Sequence, residues 1–202
     1  MGKERIGIYG GTFSPPHLGH QRAAEAFAAK ISPDKLLIMP AFTPPHKELD
    51  GSADQNDRLN MCRLAFSHIE RAEISTLEID RGGKSYTALT LTELSAPDRE
   101  LYFLVGTDMF LTLDRWYSPE TIFDLATICY VRRERDDDIE GKIAEKKTEY
   151  EEKYGARIIP IELDAIEISS SDIRALLNDP ELARRHLSKP VYDYVIEKGL
   201  YQ

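Results

Sequence analysis

Short apolar runs alternate with helical patterns along the whole chain, and this alternation constrains the fold more than any other feature. Residues 36–39 (Leu-Leu-Ile-Met) and 101–105 (Leu-Tyr-Phe-Leu-Val) are almost continuously apolar. Such runs are typical of strands that are covered on both faces of a parallel sheet. We therefore predict an α/β fold with a Rossmann-like, doubly wound parallel sheet, in which ligands bind beyond the carboxyl ends of the strands.

The alternation divides the chain into predicted strands and helices. The predicted strands cover residues 5–9, 35–39, 73–75, 77–80, 101–105, 127–131 and 157–160. The predicted helices cover residues 18–30, 54–67, 87–96, 108–112, 119–125, 139–154, 171–178 and 190–198. We expect a single domain over residues 1–202, with a core that extends to about residue 162 and a small helical part from about residue 163.

The composition limits the classes of function. A net charge of −9, from 26 basic and 35 acidic residues, argues against a nucleic-acid surface, which needs a basic face. The charged N-terminus predicts no signal peptide, and no apolar run approaches the roughly 18 residues of a membrane helix. Cys62 and Cys129 lie far apart without metal-ligand spacing, which favours a reduced setting. We expect a cytoplasmic protein without a membrane partner.

The most charged stretch, residues 134–153, contains an aspartate triplet that could suggest a metal site. A solvated loop before an exposed helix explains these charges better, since acidic residues favour a helix N-terminus. We assign no chemistry to this stretch.

Two glycines and two histidines lie where the first predicted strand runs into the first predicted helix. Gly10 and Gly11 can let a phosphate approach the main chain closely, where a side chain would block it. Gly19 and His20 fall at a helix N-terminus, which favours an anion, and the imidazoles of His17 and His20 add hydrogen-bond donors. The segment lacks the lysine of a Walker A loop. It predicts a site for a nucleotide phosphate chain, unless the histidines merely belong to a structural corner.

Residues 10–20, Gly-Gly-Thr-Phe-Ser-Pro-Pro-His-Leu-Gly-His, resemble the signature of the HxGH nucleotidyltransferases. More narrowly, they are similar to the bacterial nicotinate mononucleotide adenylyltransferases, whose pattern is G-G-x-F-x-P-x-H-x-G-H. The resemblance implies transfer of AMP from ATP to nicotinate mononucleotide, which yields nicotinate adenine dinucleotide and pyrophosphate in NAD biosynthesis. It also implies that Thr12 and Phe13 belong to the ATP site together with the glycines and histidines.

Three other functions remain open at this point. A phosphopantetheine adenylyltransferase shares the fold and the HxGH motif, but usually has threonine where His17 stands and lacks the element around Trp116. A nicotinamide-preferring enzyme would differ only in the pyridine pocket. A non-catalytic nucleotide sensor would be expected to have lost its phosphate-binding residues, which this chain retains.

Residues 168–174, Ile-Ser-Ser-Ser-Asp-Ile-Arg, form a second informative segment. Ser169 and Asp172 fit a capping pattern, so the segment could be only the start of a helix. Arg174, one turn inside that helix, can also reach an anion at the same place. The segment resembles the family motif I-S-S-T-x-I-R, with Ser171 in place of threonine. This resemblance implies that Ser170, Ser171 and Arg174 hold the β- and γ-phosphates of ATP.

Two further segments resemble family elements near the phosphates. His46 and Lys47 follow two prolines after the second strand, where the family commonly carries P-P-H-K; the lysine could otherwise be an ordinary surface residue. Arg58 lies in a helix that resembles the family's R-x-x-M segment, and it is a secondary candidate.

Ser85, Tyr86 and Thr87 open a helix after a glycine pair, which leaves main-chain N–H groups available for an anion. They resemble the family element S-Y-T-x-D-T-L, although Leu89 replaces the usual aspartate. Gly106 and Asp108 end the strongest buried strand. The family's G-x-D implies that Gly106 and Asp108 belong to the ATP site and that Asp108 also serves the pyridine nucleotide. Asp108 can accept hydrogen bonds from ribose hydroxyls, and it can at the same time cap the next helix.

Trp116 is the only tryptophan of the chain, and a lone tryptophan usually belongs to the core. The resemblance implies that it stacks on the pyridine ring, while the main-chain amides of Thr87 and Tyr117 bind the nicotinate carboxylate. Arg133 matches one position of the family's V-x-R-P-G, but Glu134 and Arg135 replace the Pro-Gly pair. The resemblance implies that Arg133 contacts the pyridine nucleotide.

The implied chemistry needs positive charge more than it needs proton transfer, because the attacking phosphate is already anionic. His17, His20, Lys47 and Arg174 are the candidates to supply that charge. Mg²⁺ is expected on the ATP phosphates, without a metal site of the protein's own. The partners are thus ATP and nicotinate mononucleotide, and the sequence leaves the oligomeric state open, a homo-oligomer included.

Overall fold

The computed structural model describes residues 2–45, 52–131, 137–163 and 168–201. Its strands are β1 (Glu4–Gly11), β2 (Lys35–Pro40), β3 (Ala72–Ile74), β4 (Arg99–Gly106), β5 (Ala126–Val131) and β6 (Ile158–Ile161). They form one six-stranded sheet in the order β3-β2-β1-β4-β5-β6, and all the pairings are parallel. This order confirms the predicted Rossmann-like sheet.

Ten α-helices are described among these residues. They are α1 (Leu18–Ile31), α2 (Gln55–Phe66), α3 (Leu77–Arg81), α4 (Thr87–Leu94), α5 (Thr107–Phe110), α6 (Pro119–Leu125), α7 (Asp137–Tyr154), α8 (Ser170–Leu176), α9 (Pro180–Arg184) and α10 (Lys189–Glu197). A 3₁₀ turn covers Leu113–Arg115. Within the described ranges, none of the helices has the length and apolar character needed to cross a bilayer.

Apolar side chains cover both faces of the sheet, as the continuous apolar runs predict. Along β4, Phe103 and Val105 belong to one buried cluster and Leu104 belongs to the other. The first cluster includes Phe123 of α6, and the second includes Phe27 of α1. The alternation of side chains along the strand therefore anchors a layer of helices on each face.

The C-terminal helices pack on the face that carries α1 and α2. Val191 and Val195 of α10 are completely buried in the same cluster as Phe66 of α2, and α8 contributes the buried Ile173. This packing brings the predicted second phosphate segment back to the sheet. Cys62 and Cys129 are both buried and are not joined in a disulfide.

The prediction of a strand over residues 77–80 is wrong, because the structure has the helix α3 there. The alternation Leu-Glu-Ile-Asp imitates a strand over four residues, which is too short to establish a period. The glycine that follows, Gly82, has φ = 70° and its N–H donates to the carbonyl of Glu78, so it ends a helix. The prediction that the helix near residue 150 is exposed holds for only part of it, because the side chain of Tyr150 is fully buried.

Candidate active site

A cavity of about 480 Å³ lies at the carboxyl ends of β1 and β4, the neighbouring strands at which the strand order reverses. In open α/β sheets this is the place where ligands bind. Most of the predicted site residues line it: Gly10, Gly11, Thr12, Phe13, His17, His20, Ser85, Tyr86, Thr87, Gly106, Asp108, Trp116, Tyr117, Ser170, Ser171 and Arg174. Gly19, the second residue of α1, is not among the lining residues. The fold thus brings together segments that are far apart in sequence.

The two histidines lie together at the start of α1. His17 caps the helix in an extended conformation and is 2% exposed, and the two ring centroids are 3.6 Å apart. The main-chain N–H of His17 donates to Nδ1 of His20 at 3.1 Å. Because Nδ1 of His20 accepts this bond, the ring proton of His20 resides on Nε2. Its Nε2–H is therefore the hydrogen-bond donor that the ring can present to a ligand.

The two glycines of the loop serve different purposes. A Cβ on Gly11 would lie 2.9 Å from the ring of Phe13, whereas one on Gly10 would meet Phe103 at an ordinary 3.8 Å. Phe13 is 1% exposed and has φ = 49°, an uncommon backbone conformation for a residue with a side chain. Gly11 is thus required by the packing of Phe13, in addition to any approach of a phosphate.

The segment at α8 begins with the predicted helix cap. The side chain of Ser169 accepts from the main-chain N–H of Asp172 at 3.2 Å, and the Asp172 carboxylate accepts from the Ser169 N–H at 2.8 Å. Hydrogen bonds from Ser169 lower the pKa of Asp172 below its ordinary value. This reciprocal pair is a capping box, so the structural interpretation of Ser169 is confirmed.

The next residues of α8 bind the histidine loop, residues 12–17, which leads from β1 to His17 at the start of α1. The hydroxyl of Ser170 donates to the carbonyl of Pro15 at 2.9 Å. Arg174 donates through Nη1 to the carbonyl of Ser14 at 2.8 Å and through Nη2 to the hydroxyl of Ser171 at 3.1 Å. These contacts fix Arg174 on the wall of the cavity.

Aromatic side chains line another part of the cavity. Trp116 is half-buried and meets Phe103 edge to face, with 6.3 Å between the ring centroids. The rings of Tyr86 and Tyr117 lie 4.7 Å apart, and Tyr117 is 53% exposed. This is an apolar, π-rich surface of the kind that accepts a flat heteroaromatic ring.

Ser85 and Asp108 differ in how far the protein itself uses their side chains. Ser85 is buried, its hydroxyl accepts from the N–H of Phe42 at 2.9 Å, and its N–H donates to the carbonyl of Thr43 at 2.9 Å. Its side chain therefore holds the loop after β2. Asp108 is exposed in the first turn of α5, which Gly106 caps, so the capping role considered for Asp108 is wrong.

Comparison with known proteins agrees with this geometry. The family model described as cytidylyltransferase-like matches residues 8–176. A protein of Desulfatibacillum aliphaticivorans named "Probable nicotinate-nucleotide adenylyltransferase" is 36% identical over 214 residues, which cover 98% of this chain and 99% of that protein. This chain belongs to the nicotinate-nucleotide adenylyltransferase family. A family member of the same name from Listeria monocytogenes is 34% identical over 201 residues, with 98% of each protein covered.

The fold of this chain is also similar to that of solved structures. Nicotinic acid mononucleotide adenylyltransferase of Plasmodium falciparum, complexed with APC, has a TM-score of 0.74 at 19% identity and covers 98% of this chain. The same enzyme complexed with NaAD has a TM-score of 0.69. These structures show the same α/β architecture, while the relatives from Desulfatibacillum and Listeria show that the chain is a nucleotidyltransferase.

Three of the predicted site residues lie outside the part of the chain that the structure describes: His46, Lys47 and Arg133. Pro44 and Pro45, which precede the first two, line the cavity.

Arg58 has a larger role in the architecture of this adenylyltransferase family member than the sequence suggests. It is fully buried, and it donates to the carbonyls of Thr12 at 3.1 Å and Phe42 at 3.5 Å. Burial lowers the pKa of the Arg58 guanidinium from its ordinary value. Since these two carbonyls belong to the loops after β1 and β2, Arg58 holds both loops at once.

Two groups of polar residues near the cavity were not predicted. Glu78 is buried, lines the cavity and accepts a 2.6 Å hydrogen bond from the hydroxyl of Thr90. Only the helix-ending glycine at position 82 could have revealed the helix that carries Glu78. Asp114, two residues before Trp116, accepts hydrogen bonds from Lys146 at 2.9 Å and from the Tyr150 hydroxyl at 3.0 Å.

Proposed function

We propose that this enzyme transfers AMP from ATP to nicotinate mononucleotide. An oxygen of the mononucleotide 5′-phosphate attacks the α-phosphorus of ATP, and the bond from that phosphorus to the pyrophosphate oxygen breaks. The observation that carries the proposal is a single cavity, lined both by His17, His20 and Arg174 and by the aromatic surface at Trp116. Such a cavity has groups for a phosphate chain and for a flat ring together. The names of the relatives from Desulfatibacillum and Listeria support the same reaction.

The phosphate-binding part of the cavity acts by charge and position. The nucleophile is an anion at neutral pH, so no residue needs to remove a proton from it. Catalysis then depends on holding the two phosphates in line and on stabilising the charge that develops on the leaving pyrophosphate. Arg174, fixed by Ser14 and Ser171, presents a guanidinium whose geometry suits phosphate oxygens.

The histidines contribute as hydrogen-bond donors. Because Nδ1 of His20 accepts from the N–H of His17, the Nε2–H of His20 is the group that would donate to a phosphate oxygen. His17, buried at the helix cap, places this ring and adds its own imidazole. The remaining residues of this part of the proposed ATP site are Gly10, Gly11, Thr12, Phe13 and Gly19.

Mg²⁺ is proposed to bind through the phosphates of ATP. No group of three or more histidine, cysteine, aspartate or glutamate side chains suited to hold a metal occurs among the described residues. The proposed ion is carried mainly by substrate oxygens and waters, as Mg²⁺ commonly is. When bound, the ion neutralises phosphate charge, and Arg174 and the histidines act on the remaining oxygens.

The aromatic part of the cavity is proposed to select the pyridine nucleotide. Trp116 would stack on the ring, beside Tyr86 and Tyr117. Among the described residues, none accepts a hydrogen bond from the main-chain N–H of Thr87 or Tyr117, so both donors are available to a carboxylate. Amide donors favour the anionic nicotinate over the neutral nicotinamide. Asp108 would accept from a ribose hydroxyl, and Ser85 would keep the neighbouring loop in place.

Lys47 is proposed to add positive charge at the phosphates, with His46 and Arg133 contacting the pyridine nucleotide. The resemblance of their segments to the family elements supports these roles.

The decisive experiment measures pyrophosphate release with ATP and three acceptors: nicotinate mononucleotide, nicotinamide mononucleotide and phosphopantetheine. We expect kcat/KM to be highest for nicotinate mononucleotide, by about tenfold or more over the nicotinamide form, since one lost charge-assisted contact is worth at least this much. Absence of turnover with the nicotinate form would refute the proposal. Preference for phosphopantetheine would assign the sister activity, and nucleotide binding without turnover of any acceptor would identify a sensor.

A further inference from the structure

The hydroxyl of Tyr201 lies 2.9 Å from the hydroxyl of Ser14, across 187 residues of sequence. Ser14 is 5% exposed and lines the cavity in the loop between β1 and α1. Tyr201 does not line the cavity and follows the last helix. A side chain from the C-terminal part of the fold thus reaches the histidine loop, residues 12–17, which ends at His17 where α1 with His20 begins.

Ser14 is held at two atoms by the C-terminal part. Its hydroxyl pairs with Tyr201, and its carbonyl accepts from Nη1 of Arg174 at 2.8 Å. Arg174 is the cation that the proposed mechanism places on the phosphates. A shift of Ser14 would therefore move both the histidine loop and the acceptor that orients this guanidinium.

The backbone around the contact between Tyr201 and Ser14 has uncommon conformations. Gly199 has φ = 62° after α10, and Leu200 is then buried in the core cluster. Tyr201 itself has φ = 64°, a conformation that a residue with a side chain adopts when its surroundings enforce it. Phe13, adjacent to Ser14, has φ = 49° as well. Uncommon backbone conformations thus occur on both sides of the hydroxyl pair.

We propose that Tyr201 is a positioning residue of the phosphate site, which acts through Ser14 on Arg174 and the histidine loop. The inference rests on the proposed adenylyl transfer for its catalytic readout. It also has a readout that requires only nucleotide binding, because the loop and Arg174 are the proposed contacts of the ATP phosphates.

The test compares Tyr201→Phe with Tyr194→Phe. Each substitution removes one phenolic oxygen from the C-terminal part. The Tyr194 hydroxyl donates to Asp57 at 2.9 Å and accepts from Asn60 at 3.2 Å, and so joins α10 to α2 without touching the loop. Tyr194→Phe therefore controls for the general loss of a C-terminal hydrogen bond. The ring stays in place in both variants, so both are expected to fold, which thermal unfolding checks.

We expect Tyr201→Phe to reduce kcat about fivefold and to raise the Kd of α,β-methylene-ATP with Mg²⁺ about threefold, because a lost hydrogen bond has this order of effect. The KM for the mononucleotide should change less than about twofold. Tyr194→Phe is expected to leave kcat and the nucleotide Kd unchanged. Ser14→Ala should reproduce the Tyr201→Phe effect, and the double variant should lose little more, because both remove the same bond.

Two outcomes separate this inference from the proposed function. If the wild-type enzyme binds α,β-methylene-ATP but has no turnover with any acceptor, the proposed function fails, and the nucleotide Kd still tests Tyr201. If Tyr201→Phe equals Tyr194→Phe in kcat and in the nucleotide Kd, Tyr201 has no positioning role. Additive losses in the double variant would likewise overturn the coupling through Ser14.

Discussion

The Nη1 atom of Arg58 lies 3.1 Å from the carbonyl oxygen of Thr12, so a buried cation of α2 supports the loop that carries the histidines. Its Nη2 donates to the carbonyl of Phe42 in the loop after β2. Arg58 does not line the cavity. Arg58 therefore holds the loops after β1 and β2 at a fixed distance from each other, from a position outside the cavity.

Replacing Arg58 with methionine should destabilise the fold and impair catalysis together. The change leaves two main-chain carbonyls without their donor, at a cost of roughly 2 kcal/mol in the free energy of unfolding. Loosened loops should also lower kcat/KM by about tenfold. Denaturant unfolding and steady-state kinetics measure the two effects. Arg63→Met, on the exposed side of the same helix, should change both by little, and an equally mild Arg58→Met would contradict this role.

His20 can be tested without disturbing its cap. Asparagine retains an oxygen that can accept from the N–H of His17 but lacks the Nε2–H donor. We expect His20→Asn to fold with a near-native melting temperature and to lose kcat by about 10²-fold or more, as when a donor to the transition state is removed. Thermal unfolding and pyrophosphate release are the measurements. A variant with wild-type kcat would show that Nε2 has no part in catalysis.

Trp116 should affect the two substrates unequally. Stacking of a base on an aromatic side chain is worth about 1–3 kcal/mol, so Trp116→Ala should raise the KM for nicotinate mononucleotide by about fivefold or more. The KM for ATP should change less than about twofold. Trp116→Phe, which keeps an aromatic face, is the matched variant and should recover most of the loss. Equal effects of Trp116→Ala on both substrates would argue against stacking.

Asp114 should make the stability of the wall near Trp116 dependent on pH. Burial raises the pKa of Asp114, but hydrogen bonds from Lys146 and Tyr150 outweigh burial, so the pKa lies below its ordinary value. The carboxylate therefore contributes stability above its ordinary pKa, and this contribution disappears as the pH falls through the lowered pKa.

We accordingly expect Asp114→Asn to be less stable than the wild-type enzyme at pH 7 by about 1 kcal/mol, because a hydrogen-bonded ion pair is lost. Between pH 5 and pH 2 the difference in melting temperature should shrink. Asp193→Asn, which removes the exposed pair with Lys189, supplies the comparison and should show a smaller effect at pH 7. A gap that stays constant on acidification would contradict the assignment to ionised Asp114.

The sheet could be predicted because its central strands are buried on both faces and therefore have almost continuous apolar sequence. The helix at Leu77–Arg81 could not be predicted, because the four residues 77–80 alternate in polarity and fit a strand and a short helix equally well. Glu78 was missed as a consequence. The error was thus one of local period, confined to an element shorter than two helical turns.

The candidate site divides along the same line. Motifs of adjacent residues, such as Gly10 to His20 and Ser169 to Arg174, could be interpreted from sequence because their spacing carries the chemistry. The pairs Arg58–Thr12 and Ser14–Tyr201 could not, since each joins positions that only the packed fold brings together. No periodic pattern encodes such a contact. The reason for glycine at position 11 could not be predicted from sequence either. A Cβ there would collide with the ring of Phe13, and only the folded structure shows this contact.

The bonds from Ser170 to Pro15 and from Arg174 to Ser14 span 155 and 160 residues. Synthesis proceeds from the N-terminus, so a nascent chain that contains the six described strands still lacks the α8 wall of the cavity. The nascent chain acquires its wall at α8 only after Ser170–Leu176 has emerged from the ribosome. In the proposed function, ATP binding therefore depends on a segment that is made after the whole sheet, and ATP cannot stabilise the partly made sheet through that wall.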